Sequence, residues 1–424
     1  MVSALHRVLN ISESTPITHD LFERLIAEKV REQTDLDYKA TAYDFDDETK
    51  RFELAKDICA MANSGGGWII CGLGEKKEIP TGFSPLNLDP KSETKIRELI
   101  EKRIEPSLQI DIYVVSRDDD TDTILAIKIP DSAQRPHLLR AKKTADATKS
   151  FVVPVRDGAR TAWIGERELR KMYTDQRERS EQQEAAQNEY FADAVHTARK
   201  FIGTSLVIVA VPQPLKETSS WTADQIRKLL VPKTRYRYID RHAAGWDFFD
   251  AEKGIDIKRD FQKEVVTFSG RKGVLELHIY DNGTVQVIAK LGNIAGDDLR
   301  AASHHPVGTP SHVRNVDVEF VLGQAIGVID QINEREPSRD IQLFARLVYE
   351  GNEPIQIRRM DAAGDLIMGA EASEPISIPR TVVGRLPAQR DETDVQKCLY
   401  RMASDLINQS RIRSPQYIKP PESA

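Results

Sequence analysis

The sequence predicts an α+β fold in two domains. Three observations carry this. The chain has 424 residues, more than one domain of ordinary size holds. Helical-period segments and short apolar strands are mixed, and several strands neighbour each other in hairpin order instead of alternating regularly with helices. Between Thr174 and Asn188 the chain is rich in Gln, Glu and Arg with almost no large apolar residue, which marks a boundary. The expected division is a leader over 1–16, a first domain over 17–175, a charged linker or solvated helix over 176–188, a second α+β domain over 189–412 and a tail over 413–424.

In the first domain, Leu21, Phe22, Leu25, Ile26 and Val30 have helical spacing, with Thr18 as N-cap. Leu36–Lys39 alternates as a strand. Asp44–Glu48 suits a loop or the first turn of a helix, where carboxylates complement the dipole. Phe52–Ala62 is a helix of small and apolar residues that stops at Asn63-Ser64-Gly65-Gly66-Gly67, and Trp68–Leu73 is a buried strand. Thr94–Ile104 is helical, Ile110–Ser116 and Thr123–Ile129 are strands around an acidic turn, Phe151–Val155 is a strand and Ile164–Tyr173 a closing helix. In the second domain, strands are expected at Leu206–Val211, Phe261–Phe268, Val274–Ile279, Val285–Lys290, Ile341–Tyr349, Pro354–Arg359 and Ile376–Val383. Helices are expected at Thr222–Leu230, Val316–Asn333 and Thr393–Gln409. Asn282-Gly283 signals a hairpin with positive φ at both turn positions.

Composition excludes several classes. Lys and Arg number 60 against 66 Asp and Glu, so the formal charge is −6 and a strongly basic, histone-like protein is ruled out. Hydrophobic residues make up 40%, too many for a disordered chain. The longest apolar runs, Leu206–Val211 and Val321–Ile329, fall short of the ~20 residues of a membrane span. No signal-peptide pattern opens the chain, so a soluble, cytoplasmic protein with no membrane partner is expected. Cys59, Cys71 and Cys398 form no CxxC pair, which leaves neither a disulfide framework nor a cysteine zinc site.

Three constellations could carry chemistry. Glu32, Asp37 and Lys39 place paired carboxylates beside a lysine, and on a strand Asp37 and Lys39 share a face. That set suits a divalent metal with an adjacent phosphate clamp, although a surface ion-pair cluster has the same composition. The glycine turn could aim backbone N–H groups at an anion or simply make a tight helix-to-strand connection. It is neither a Walker A motif nor a dinucleotide fingerprint. Finally Arg135, His137, Arg140, Lys142, Lys143, Lys149, Arg156 and Arg160 crowd one stretch against only Asp146 and Asp157, as phosphate contact or a solubilising loop would require. A weaker cluster alternates Arg and Tyr over Lys233–Arg241, as single-stranded nucleic acid favours and as an edge strand also allows. His304-His305 has no partner at metal spacing.

The first 175 residues resemble the Schlafen/AlbA-type DNA-binding domain. Glu32 followed by Leu36-Asp37-Tyr38-Lys39 resembles its acid-then-Glu-Phe-Lys element. Ile58–Gly67 resembles its helix and glycine turn, and Trp68–Glu75 its strand ending in acids. Ile104-Glu105-Pro106, Ile124–Pro130 with Ser132, Pro136-His137, Val153–Thr161 and Glu166–Tyr173 follow in family order. The resemblance implies DNA or RNA binding, with Lys39, Asn63, Gly65 and Gly66 lining a groove beside the basic hairpin. Some members are metal-dependent endoribonucleases using three acids. By motif position these fall on Glu32, Asp37 and Glu75, which would hold Mg²⁺ or Mn²⁺ while Lys39 neutralises the scissile phosphate. Asp37 stands where Glu is usual and Glu75 where Asp is common. The implied functions are a nucleic-acid-binding regulatory or defence-associated protein, a metal-dependent nuclease, or an interaction partner in a defence or toxin–antitoxin system. The second domain is expected to serve partner contacts or homo-oligomerisation. No Walker A motif supports an ATPase.

Overall fold

The computed structural model describes residues 4–11, 15–84, 86, 88–117, 122–132, 134–141, 150–213, 215, 221–231, 236–239, 249, 255–270, 273–293, 309–334, 339–359, 373–388, 390–418 and 420–421. The chain is α+β and divides into two compact units, Met1–Gln182 and Gln183–Ala424.

Unit 1 runs α1 (Ala4–Val8), α2 (His19–Ala27), β1 (Leu36–Lys39), α3 (Glu48–Asn63), β2 (Gly67–Cys71), β3 (Leu73–Lys76), β4 (Ile79–Phe83), α4 (Ser92–Arg103), β5 (Ile104–Glu105), β6 (Asp111–Val115), β7 (Ile124–Ile129), β8 (Leu138–Arg140), β9 (Phe151–Val152), β10 (Pro154–Asp157) and β11 (Arg160–Trp163). Its central sheet has the order β1-β2-β7-β6, with β1 and β2 parallel and the other pairs antiparallel. The two-residue side-chain period splits each strand between two cores. Leu36, Tyr38, Trp68, Ile70, Ile124 and Ala126 pack with α1 and α2. Ile69, Cys71, Leu125, Ile127 and Ile129 pack with α3 and α4 on the other face. Burial on both faces is why Trp68–Cys71 reads as an unbroken apolar run. The expected leader is part of this core: Leu5 and Leu9 are buried against α2 and the sheet.

Helix α5 (Glu166–Ala198) continues through the stretch expected as a charged linker or solvated helix. Gln, Glu and Arg are good helix formers, and i,i+4 pairs such as Arg177–Glu181 at 2.7 Å support its exposed face. Unit 2 continues with β12 (Ser205–Gln213), α6 (Ala223–Leu229), β13 (Ile255–Asp260), β14 (Lys263–Gly270), β15 (Gly273–Tyr280), β16 (Val285–Lys290), β17 (His312–Arg314), α7 (Asn315–Asn333), β18 (Asp340–Val348), β19 (Gln356–Arg358), β20 (Val382–Leu386) and α8 (Glu392–Asn408). Seven of these strands form an antiparallel sheet, β13-β14-β15-β16-β12-β18-β20. Leu206, Ile208 and Ala210 face the large core with α6, α7 and α8, while Val207, Val209 and Val211 face the end of α5.

Three details depart from expectation. Strand β13 was not foreseen, because the charged run of Ile255–Asp260 hides an edge strand. The Asp281–Gly283 turn has positive φ only at Gly283, with the Gly283 N–H bonded to the Tyr280 carbonyl and the Tyr280 N–H to that of Thr284. This is the longer hairpin loop with a glycine bulge, not a two-residue turn. The strand expected over Ile376–Val383 begins at Val382, and Ile376 makes only an isolated bridge to Ile355.

Candidate nucleic-acid interface

The glycine turn is shaped by the helix it ends. The N–H groups of Ser64 and Gly66 both return to the Met61 carbonyl, each at 2.9 Å. The Gly66 N–H is therefore a helix cap and is not aimed at an anion. Asn63 is buried and stitches three segments together. Its amide nitrogen donates to the carbonyls of His137 and Pro154, both at 2.9 Å, and its oxygen accepts the His137 N–H at 2.7 Å. In this arrangement both ends of its amide are engaged within the protein, and it clamps the helix end to the segments of His137 and Pro154. His137 is buried too, its ring between the Pro106 carbonyl (2.8 Å) and the Ser132 hydroxyl (2.7 Å). Burial lowers its imidazole pKa, Arg135 adds to the fall and the Pro106 contact opposes it.

The acidic constellation is assembled on β1. Asp37 and Lys39 project toward α3, and Asp37 is buried with Arg156 of β10. Asp37 Oδ1 accepts from Arg156 Nη2 at 3.0 Å, and Lys39 Nζ lies 2.5 Å from Asp37 Oδ2. A buried guanidinium needs such a partner, because an uncompensated charge there would be strongly destabilising. The Arg156 N–H accepts no surface role either: it donates to Ser64 Oγ at 2.8 Å, tying β10 to the glycine turn. Burial works against the Lys39 ammonium, but Asp37, Asp57 and Glu32 outweigh it and its pKa rises. Asp57, missed in the sequence, belongs to this set and accepts from the Tyr43 hydroxyl at 2.9 Å. A carboxylate within the small-residue helix Phe52–Ala62 was the signal that could have revealed it.

Glu32 and Glu75 both lie near the β3–β4 turn, where the Glu32 N–H donates to the Glu78 carbonyl at 2.8 Å. The Glu32 carboxylate accepts the Tyr38 N–H at 2.7 Å, and the Glu75 carboxylate accepts the Glu78 N–H at 2.9 Å from an exposed position. Burial raises the Glu32 carboxyl pKa, the Tyr38 N–H opposes it, and the charges of Asp37 and Glu75 add to the rise. A divalent metal needs several oxygens around one point. Among the described residues, no three His, Cys, Asp or Glu side chains gather in that way. Asp37 faces two resident cations, and Glu32 and Glu75 each hold a main-chain N–H. As arranged, these residues do not fit Mg²⁺ or Mn²⁺.

The basic stretch separates by exposure. Arg156 is buried, and Arg135 is mostly covered with Asp131 at 3.3 Å. Arg140 stands at the surface with Glu105 Oε1 3.0 Å from its Nε, and Arg160 is exposed on β11. Lys142, Lys143 and Lys149 lie outside the described residues, as do His304 and His305. In unit 2, the Arg–Tyr alternation is partly described, and its side chains are paired within the protein although Arg237 reaches the surface. Arg237 pairs with Glu392 at 2.6 Å and Glu334 at 3.1 Å, and the Tyr238 hydroxyl donates to Asp330 at 2.8 Å.

The fold and this site define an α+β domain with a buried charge node beneath a glycine turn and an arginine-bearing hairpin at its surface. Residues 32–162, within unit 1, match the Schlafen, AlbA_2 family. Among solved structures, the DIP2311 protein of Corynebacterium diphtheriae matches at 18% identity and a TM-score of 0.24, over 37% of this chain and 28% of that one. The N-terminal domain of a RecG-related protein from Nitrosomonas europaea matches at 18% identity and a TM-score of 0.23, over 34% of this chain and 88% of that one. The chain thus spans under a third of the DIP2311 protein. No curated protein matches. Among the described residues, no helix is long and apolar enough to cross a membrane.

Proposed function

We propose that unit 1 binds nucleic acid as a non-catalytic module, and that unit 2 supplies a regulatory or partner-binding half. The observation that carries this is the Schlafen, AlbA_2 match over residues 32–162, whose motifs imply nucleic-acid binding. The exposed guanidinium groups of Arg140 and Arg160 support it, since backbone phosphates are met by accessible cations. Binding without cleavage is favoured because the carboxylates of Glu32, Asp37 and Glu75 already have partners within the protein.

Fluorescence anisotropy with short RNA and DNA, in EDTA and in Mn²⁺, tests the reading. Binding should be equal in both, should leave the oligonucleotide intact and should weaken steeply with salt. The Arg140→Gln/Arg160→Gln double variant should lower the log–log salt slope by about one to two. Absence of binding at low salt would sink the proposal and leave the defence-partner reading. Mn²⁺-dependent cleavage that disappears in Asp37→Asn would replace it with the nuclease.

A further inference from the structure

Exposed aromatic side chains gather beside the exposed arginines of unit 1. Among its described residues, the exposed large apolar side chains are Val114, Phe151, Trp163 and Tyr173. Three of these four are aromatic: Phe151 lies on the second strand of the basic hairpin, and Trp163 and Tyr173 follow it in the chain. Trp163 is 52% and Phe151 39% exposed. Water exposure of so large an apolar surface is unfavourable, so covering it by a ligand is a gain.

Strand pairing brings these residues into one neighbourhood. Arg140 is opposite Phe151, with its guanidinium 5.8 Å from the ring centroid. Directly along the chain, Val153 accepts the Ile164 N–H, and Pro154 is opposite Trp163. Phe151 on β9 and Pro154, opposite Trp163 on β10, lie on successive strands of two different sheets and are three residues apart, an extended-chain span of about 10 Å. At ~3.4 Å of rise per nucleotide, that is the reach of a few bases. Charge alone is modest at this edge. Glu105 pairs with Arg140, and Asp157 is opposite Arg160 across the β10–β11 turn. The ring faces are what the surface has most to offer. Bases in a duplex are stacked on one another, whereas unpaired bases can stack on protein rings, and arginine beside an aromatic adds cation–π attraction.

Resting on the nucleic-acid reading above, we propose that Phe151 and Trp163 form a stacking site for unpaired bases, which makes unit 1 a binder of single strands in preference to duplex. Arg140 and Arg160 then contact the flanking phosphates.

The experiment measures anisotropy of single-stranded and duplex oligonucleotides of one sequence on the full chain, with Trp163→Ala, Phe151→Ala and Trp163→Phe. Single strands should bind more tightly than duplex. Each alanine variant should weaken single-strand binding about fivefold to a hundredfold and leave any duplex binding nearly unchanged. Trp163→Phe should retain most of the affinity. Single strands should also quench tryptophan emission, and because the chain has four tryptophans it is the quenching lost in Trp163→Phe relative to the wild type that reports a base on Trp163. Equal binding of duplex and single strand, with the alanine variants unaffected, would overturn the stacking site while leaving nucleic-acid binding intact. No binding to either form overturns both readings. A change of oligomeric state in Trp163→Ala with unchanged nucleic-acid affinity would also overturn it and assign the ring to a protein contact.

Discussion

At the residue scale, three consecutive glycines do different work. Gly67 has φ +152°, and a Cβ there would stand 2.5 Å from the Asp35 carbonyl oxygen. Gly66 has φ +83°, with the Ile129 carbonyl oxygen 2.6 Å from the same notional atom. Gly65 has φ +101° and open space around it. Backbone cannot yield to a clash as a flexible side chain can. Gly67→Ala is therefore expected to cost about 3 kcal/mol or more, from contact and conformational strain together. Gly65→Ala should cost only the left-handed strain, roughly 1–2 kcal/mol. Urea denaturation of the two variants checks the ranking. The turn was legible in the sequence as a turn. That its tightness serves close passage of β1 and β7, and not an anion, depends on neighbours distant in the chain.

At the element scale, helix α7 is buried on every side and still carries Glu319. The Glu319 carboxylate accepts the N–H groups of Gln416 and Tyr417 at 2.9 and 2.7 Å, so it latches the segment after α8 onto the core. Tyr417 also packs edge-on against Phe320. Burial pushes the Glu319 carboxyl up to about 7, against those N–H donors, from an ordinary 4.5. The folded value lies above the unfolded one. Its contribution to stability is thus fully present below about pH 4.5 and is lost as pH rises through about 7. Relative to Glu319→Gln, the wild type is expected to lose melting temperature between those limits, and parallel curves for the two proteins would contradict the latch. The apolar pattern of Val316–Asn333 revealed the helix. The burial of its acid did not follow from the pattern, because a carboxylate on an apolar helix can also mark a solvent-facing edge.

At the scale of the whole molecule, α5 belongs to both units by sequence, and its far end is part of the second core. Ala194 and Ala198, with Tyr190 and Phe191 beside them, cover Val207, Val209, Val211 and Ile288. A fragment of residues 183–424 keeps this cover, whereas one of residues 199–424 exposes the whole valine face of β12. The longer fragment is expected to be monodisperse with a cooperative melt, and the shorter one to aggregate, as light scattering and circular dichroism would show. The net charge of −6 has a sharper meaning at this scale as well. Among the described residues, two arginines of the basic stretch are neutralised within the protein, Arg156 by Asp37 and Arg135 by Asp131, and are less available than the sequence suggests.

The sequence by itself determined the α+β class, the order of most elements and the family resemblance of the first unit. Each of these is written in local periods and short motifs: alternation along β7, the helical spacing of α2 and α3, the glycine turn before β2. What only the tertiary structure decided is which charges and rings are available. Arg156 and Asp37 lie 119 residues apart in the chain and neutralise each other in the interior. Asn63 and His137 are clamps between segments, while Trp163 and Phe151, unremarkable in the sequence, stand in solvent. Availability depends on burial and pairing between distant segments, and no local window of sequence contains both partners.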